Sequence, residues 1–268
     1  MPREIVPGVY WIQECGHDRS HFVERDDRRT PDWYVPGHQL HIPQNAFLFR
    51  GQETLLFDTL SPASSDVIVD RLESLLDGRE LDYLVVSHPD VPHAGNAFRI
   101  LNEYPDATLV APKYGSKHEL YHLDDATHVG EGDSIDLGGF TVDFHEATFP
   151  DAAVHVWMSE RETEMLLPVD WMGMPHMDTE CLSFVDELET ELDVDRLVEF
   201  HGRVLFWYQY VDVPKTKAEI GNILEKFDPE IIAPAHGNII RENADECILM
   251  MKDVVEEINK GGRVGTFG

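Results

Sequence analysis

The spacing of apolar residues changes along the chain, and each change predicts a different element of secondary structure. Apolar runs over 8–13, 45–50 and 54–58 have the length of β-strands, and the short polar turn between the last two predicts a hairpin. Over 64–76 the apolar residues recur three and four positions apart, which predicts a helix. The first part of the chain therefore combines strands with a helix.

The remaining pattern continues with shorter strands and ends in helices. It predicts strands over 83–87, 107–111, 140–145, 153–158, 164–169 and 230–233, and helices over 95–103, 114–121, 182–200, 216–227 and 243–260. This order predicts an α+β fold, in which two sheets pack face to face beneath outer helices. We expect one domain over residues 1–268. The irregular segment 14–43, with Trp33 and Tyr34 near its centre, predicts a lid loop.

Three of the predicted strands end in side chains that commonly bind metal ions. His88, Asp90 and His93 follow one strand, at a turn that precedes a helix. Asp170 ends a second apolar run and His236 ends a third. Imidazole nitrogen together with carboxylate oxygen suits zinc, iron or manganese. Because loops at strand ends build the sites of many folds that combine helices and sheets, we predict that these five side chains form one metal site.

The charge of the chain is strongly unbalanced, since 51 acidic and 21 basic residues give a net charge of −30 at pH 7. The acidic residues are spread along the chain rather than gathered in a tail, which is typical of proteins from a high-salt cytoplasm. Such a surface repels phosphate backbones, so we expect no nucleic-acid partner. No apolar stretch has the length of a leader or a membrane span, so we predict a soluble, cytoplasmic protein without a membrane partner.

The three cysteines, Cys15, Cys181 and Cys247, are far apart in the sequence. Because they form no Cys-x-x-Cys pair, they argue against both a disulfide scaffold and a cysteine–zinc site. The candidate metal ligands are therefore histidines and carboxylates.

The run His88-x-Asp90-x-Pro92-His93 resembles the first motif of the metallo-β-lactamase superfamily, His-x-His-x-Asp-His. A carboxylate in the second metal-binding position of that motif is typical of one branch, the flavodiiron proteins and the free-standing oxygen-binding di-iron proteins. Further stretches resemble motifs of that branch in the same order, namely Phe149-Pro150-Asp151, Val169–Gly173 and Ala233–Gly237. The resemblance covers about residues 40–245.

The resemblance implies a four-layer αββα sandwich and a site in which two irons share a bridging carboxylate and bind dioxygen or nitric oxide. Carried over residue by residue, it assigns His88 and Asp90 to the first metal, His93 and His236 to the second, and Asp170 to the bridge. We therefore expect one or two iron ions as the cofactor, with zinc or manganese as the alternative.

Two positions depart from the pattern of this branch. Pro92 stands where an aspartate would bind the second metal, and Thr148 stands where a histidine would complete the first site. Proline has no side-chain donor, and a hydroxyl is a poor substitute for imidazole. Compensation by His145, or by His17 or His21 from the predicted lid, is left open.

The candidate ligands support three functions. The first is a non-haem iron or di-iron protein that binds or reduces a small diatomic ligand such as dioxygen or nitric oxide. We expect no FMN module in this chain, so electrons for turnover would come from a separate donor. The second is a metal-dependent hydrolase of an ester, thioester or phosphodiester. The third is a binding or scaffold protein with a degenerate metal site, and assembly into a homo-oligomer is compatible with all three.

Overall fold

The computed structural model of the chain describes residues 2–14, 40–113 and 126–261. The predicted helix over 114–121 lies outside the described residues, as does the predicted lid over 14–43 apart from its two ends. Among the described residues, no helix has the length and apolar character needed to cross a lipid bilayer.

The described residues form fourteen strands and six α-helices, numbered in chain order. The strands are β1 (Arg3–Val6), β2 (Val9–Glu14), β3 (Leu40–His41), β4 (Gln44–Arg50), β5 (Thr54–Phe57), β6 (Tyr83–Val85), β7 (Thr108–Pro112), β8 (Thr127–Val129), β9 (Ser134–Asp136), β10 (Thr141–Glu146), β11 (Val156–Glu160), β12 (Met165–Leu167), β13 (His176–Met177) and β14 (Ile231–Ile232). The helices are α1 (Ser65–Leu76), α2 (Val91–Ala94), α3 (Ala97–Glu103), α4 (Val194–Val204), α5 (Val213–Phe227) and α6 (Ala244–Asn259).

Two large sheets form the centre of the fold. The first has seven strands in the order β1-β2-β4-β5-β6-β7-β8, antiparallel as far as β5 and parallel from β5 to β8. The second has five strands in the order β14-β12-β11-β10-β9, and its β12–β14 pair is parallel, with Leu166 opposite Ile232. A small third sheet pairs β3 with β13.

Alternating side chains of the first sheet enter two different apolar clusters. Trp11 and Phe47 pack in one cluster with Phe144 of the second sheet, whereas Leu48 packs in another with Leu72 of α1 and Ile100 of α3. Because both faces of the sheet are covered, its strands appear in the sequence as nearly continuous apolar runs.

The second sheet is covered by the later helices. Ile220 of α5 and Ile248 of α6 belong to the same apolar cluster as Met158 and Leu167 of that sheet. Helices therefore lie outside both sheets, and the predicted α+β, four-layer αββα sandwich is confirmed.

The predicted helix over 182–200 is wrong in its first half. Only a short 3₁₀ turn at Val185–Glu187 forms there, and α4 begins after Asp193. The Asp193 side chain accepts a hydrogen bond from the Arg196 amide, which caps the helix and fixes its start. The acidic run before Asp193 contains too few apolar residues to bury a helical face.

The cysteine spacing argued against a disulfide scaffold, yet Cys181 is disulfide-bonded. Cys247 is buried with an unbonded thiol, and Cys15 lies outside the described residues. Separation along the sequence was a poor guide because folding brings distant segments together, as in the pairing of β3 with β13.

Candidate metal centre

The carboxyl ends of β6, β12 and β14 lie at one edge of the paired sheets. His88 follows β6, Asp170 follows β12 and His236 follows β14. The Val156 amide donates a hydrogen bond to the Ser87 carbonyl at 3.0 Å, so the start of β11 is joined to the same edge. The polar side chains that follow these strands therefore lie close together in one buried cluster.

Asp170 is the centre of this cluster and is almost completely buried. Its Oδ1 lies 3.0 Å from His236 Nε2. Its Oδ2 lies 3.5 Å from His88 Nε2 and 3.6 Å from His93 Nε2. One carboxylate facing three imidazole nitrogens has the arrangement of a ligand shared by two metal ions.

The structure brings four of the five predicted ligands together. The His88 and His93 ring centroids are 4.0 Å apart, and the His93 and His236 ring centroids are 5.4 Å apart. The fifth predicted ligand, Asp90, lies at the rim. Its nearer oxygen is 3.9 Å from His88 Nε2, and 60% of its side chain is exposed. Its assignment as a ligand stays a prediction.

The potential donor atoms fall into two groups that share Asp170. The first group, here called the His155 subsite, consists of His88, Asp151, His155 and Asp170. The second, here called the His236 subsite, consists of His93, Asp170 and His236. Within each group the donor atoms lie within 4.8 Å of one another, which is close enough for a single ion to contact them all.

Sequence reasoning missed Asp151 and His155 as candidate ligands. The predicted strand over 153–158 placed His155 inside the strand, whereas β11 begins only at Val156 and leaves His155 in the loop. The signal that could have found the pair is the Asp-x-x-x-His spacing, because Asp151 Oδ1 and His155 Nδ1 lie 2.9 Å apart.

His145, one of the suggested substitutes, does not join the cluster. His145 lies in β10, where its Nε2 is 2.8 Å from Ser159 Oγ and its Nδ1 is 3.7 Å from Glu131. Thr148 is exposed, and His17 and His21 lie outside the described residues.

Hydrogen bonds behind the cluster orient its imidazoles. His93 Nδ1 lies 2.7 Å from Asp58 Oδ2, and the Ser87 amide and hydroxyl both donate to Asp58. His236 Nδ1 lies 2.7 Å from the Pro43 carbonyl. In both histidines Nδ1 is engaged by an oxygen atom, so Nε2 is directed toward Asp170. Metal-binding imidazoles are commonly oriented in this way, by a hydrogen bond from the ring nitrogen that does not bind the metal. Asp58 has a left-handed φ of 63°, a strained conformation for a non-glycine residue.

The loop that carries His236 is fixed by side-chain amides from the first sheet. Asn45 Nδ2 donates to the carbonyls of Pro234 and Gly237, and Gln13 Nε2 also donates to the Gly237 carbonyl. Gly237 has φ +95°, and a Cβ there would lie 2.5 Å from Met174 Cγ and 2.7 Å from the Met174 carbonyl oxygen. This loop therefore requires glycine directly after His236.

We expect Gly237→Ala to destabilise the protein more than Gly132→Ala. Both glycines have positive φ, +95° and +87°, so both substitutions introduce backbone strain of about 1–2 kcal/mol. Only Gly237 meets close atoms, and relief of that overlap adds about 1–3 kcal/mol. Urea denaturation of the two variants measures the difference in unfolding free energy. Equal losses would show that the loop has room for a methyl group.

Several polar atoms of the cluster are buried without a hydrogen-bond partner. They are His88 Nε2, Asp151 Oδ1, Asp170 Oδ2 and both ring nitrogens of His155. The short contact between Asp151 and His155 lacks the alignment of a hydrogen bond. Because buried polar groups are almost always satisfied, these donors fit a bound cation.

The charge states of His88 and Asp170 also suit a cation. Burial and the neighbouring His93 and His155 hold the pKa of His88 well below its usual range, so its imidazole is neutral and can offer a lone pair. Burial opposes ionisation of Asp170, but His93 and His236 outweigh it and hold the pKa of this carboxyl well below its usual value. Burial opposes protonation of His93, but Asp170 and Asp58 outweigh it and hold the pKa of this imidazole well above its usual value, so His93 must release a proton when it binds a metal ion.

Aromatic rings pack around Trp171, the residue that follows Asp170 in the chain. Trp171 stacks on Trp157 with ring centroids 5.4 Å apart and contacts Phe149 at 5.7 Å. Phe149 in turn packs against the buried Tyr208 at 5.8 Å. The cluster itself also has an aromatic neighbour, because the Phe200 and His236 ring centroids lie 5.6 Å apart.

Comparison with known proteins identifies the family of the chain. The profile of the metallo-beta-lactamase superfamily matches residues 41–213, which is more than half of the chain. The chain belongs to this superfamily. The cluster described above lies within the matched residues except for His236.

Similar proteins within the superfamily include oxidoreductases and flavodiiron proteins. The chain is 27% identical over 254 residues to a nitric oxide reductase of Moorella thermoacetica, covering 92% of this chain and 60% of that protein. It is 26% identical over 250 residues to the rubredoxin-oxygen oxidoreductase of Megalodesulfovibrio gigas, covering 89% of this chain and 59% of that protein. The chain thus spans about three fifths of the length of these relatives.

Solved structures give the same picture of the fold. The rubredoxin oxygen:oxidoreductase from Desulfovibrio gigas superposes with a TM-score of 0.75 at 21% identity, over 96% of this chain and 61% of that chain. The flavodiiron protein from Giardia intestinalis superposes with a TM-score of 0.71 at 19% identity, over 97% of this chain and 60% of that chain. The predicted resemblance to the flavodiiron branch is therefore confirmed for the fold and the relatives.

Proposed function

We propose that this chain is a non-haem iron protein that holds up to two ions about Asp170 and binds or reduces a small diatomic ligand such as dioxygen or nitric oxide. The observation that carries the proposal is the single buried carboxylate shared by two groups of donor atoms. The relatives named nitric oxide reductase and rubredoxin-oxygen oxidoreductase support the same chemistry.

The donor set favours iron or manganese over zinc. The His155 subsite offers two carboxylates and two imidazoles, and carboxylate oxygens suit harder metal ions than thiolates do. When bound, iron would supply one-electron chemistry to a diatomic ligand. The protein's own contributions are separate from that chemistry. Asp170 supplies negative charge between the subsites, and Asp58 and the Pro43 carbonyl orient His93 and His236.

The source of electrons for the cluster and the oligomeric state of the protein are also part of the proposal. Reduction of a ligand needs electrons from outside the cluster, so we propose a separate donor protein as the partner if the protein turns over. A homo-oligomer and a cytoplasmic location stay predictions from the sequence.

We expect the protein loaded with ferrous iron without oxygen to change its near-ultraviolet or visible spectrum when dioxygen or nitric oxide is added. The same preparation loaded with zinc should show little hydrolysis of chromogenic esters or phosphodiesters, because the carboxylate-rich set favours a redox-active ion. Stopped-flow absorbance measures the first property and release of the chromophore the second.

The matched control for both assays is Asp170→Asn, which keeps the side-chain volume and removes the shared charge. Spectral changes that persist in this variant would arise from adventitious iron. Zinc-dependent hydrolysis by the wild type without ferrous reactivity would replace the iron proposal with the hydrolase.

A further inference from the structure

The two subsites differ in the number and kind of their donors. The His155 subsite has four candidate ligands, two of them carboxylates, whereas the His236 subsite has three, and its carboxylate is the shared Asp170. Among the described residues, no further histidine, cysteine or carboxylate joins the second group. Pro92 lies one residue before His93 in α2 and offers no donor atom.

The subsites also differ in how well their polar atoms are satisfied. Four of the five buried cluster atoms without a partner belong to the His155 subsite alone, including both nitrogens of His155, and the fifth, Asp170 Oδ2, is shared by the two subsites. In the His236 subsite, His236 Nδ1 faces the Pro43 carbonyl and its Nε2 lies 3.0 Å from Asp170. His93 Nδ1 lies 2.7 Å from Asp58, whereas its Nε2 lies 3.6 Å from Asp170 Oδ2, beyond hydrogen-bond distance. An ion entering the His155 subsite thus relieves four unsatisfied atoms that belong to that subsite alone. An ion entering the His236 subsite has to displace the existing contact between His236 and Asp170.

His155 occupies a position that gives it no other evident role among the described residues. Its ring stacks on that of His88 with centroids 4.6 Å apart and planes inclined by 16°, and it is 3% exposed. A purely structural histidine in such a place would donate or accept a hydrogen bond, and His155 does neither.

We infer that the two subsites fill in order, the His155 subsite first and the His236 subsite second, and that His155 supplies the imidazole that position 148 lacks. This inference rests on the proposed function, because it requires that the cluster bind metal. It adds that one ion is held tightly by His88, Asp151, His155 and Asp170, and that the second is held more weakly.

The test is a titration of the metal-free, full-length protein with cobalt(II) or ferrous iron in competition with a chromophoric chelator, in molar potassium chloride without oxygen. We expect two binding steps, the first tighter than the second by about tenfold or more, since loss of even an outer partner of a metal ligand lowers affinity by about 10–100-fold. With cobalt(II), the visible bands of the first step should differ from those of the second, because the donor sets differ.

Three histidine-to-glutamine variants separate the subsites. His155→Gln should lose the tight step and keep a weaker one, whereas His236→Gln should bind one ion with the wild-type affinity of the tight step. His145→Gln is the matched control, since His145 lies in the neighbouring β10 outside both groups, and it should retain both steps. Asp151→Asn provides a second test of the tight subsite if His155→Gln does not fold, as judged by circular dichroism.

The outcomes of this titration test the order of filling separately from the proposed function. Two ions bound with equal affinity, or a tight step that survives both His155→Gln and Asp151→Asn, would overturn the order of filling and leave the metal centre in place. A wild-type protein that binds neither metal would overturn the proposed function itself.

Discussion

Replacement of Asp170 by asparagine is expected to abolish tight binding at both subsites. The carboxylate is the one donor common to both groups, and it is buried where no water can replace its charge. Since changes to outer partners already lower metal affinity by about 10–100-fold, loss of the shared ligand should lower it by more than about 100-fold. Metal content after dialysis, measured by plasma mass spectrometry, should fall from up to two ions per chain to almost none.

Thr148→Ala is the control for this substitution. Thr148 stands where the flavodiiron pattern has a histidine ligand, but the Thr148 side chain is exposed and belongs to neither group of donors. Its metal content should equal that of the wild type. Equal metal content in folded Asp170→Asn and Thr148→Ala proteins would give Asp170 only a structural role.

The stability of the protein is expected to rise steeply with salt. At a net charge of −30, repulsion among carboxylates opposes the compact state, and it is screened over only about 3 Å in molar salt against about 30 Å in very dilute salt. We expect the melting temperature to rise by at least about 10 °C into the molar range of potassium chloride, which corresponds to a few kcal/mol for a chain of this size.

This measurement is made on metal-free protein, so that salt acts on the fold and not on ion binding. A melting temperature that is independent of potassium chloride would contradict the halophilic origin predicted from composition.

The strongly periodic parts of the fold could be predicted from the sequence. The hairpin of β4 and β5 and the helices α1, α5 and α6 lie within a few residues of their predicted bounds. In each case the apolar spacing matches a face that is buried against one of the two clusters. The start of α4 was missed because a single capping contact from Asp193 determines it.

The candidate ligands that directly follow a strand could be predicted from the sequence, but those that lie within a loop could not. His88, Asp170 and His236 each follow an apolar run, so the topology of the sheets alone brings them to one edge. Asp151 and His155 lie in a loop whose path depends on the join between Val156 and Ser87, a contact that no local pattern reveals. The partial exposure of Asp90 likewise depends on the direction of a loop side chain.

Crystals of the wild-type protein soaked without oxygen in ferrous iron test the central claim most directly, through anomalous diffraction at the iron absorption edge. We predict a strong peak among His88, Asp151, His155 and Asp170 and a weaker one among His93, Asp170 and His236, each about 2.0–2.2 Å from its ligand atoms. A map with no iron peak beside Asp170 would contradict the assignment of this cluster as a metal centre.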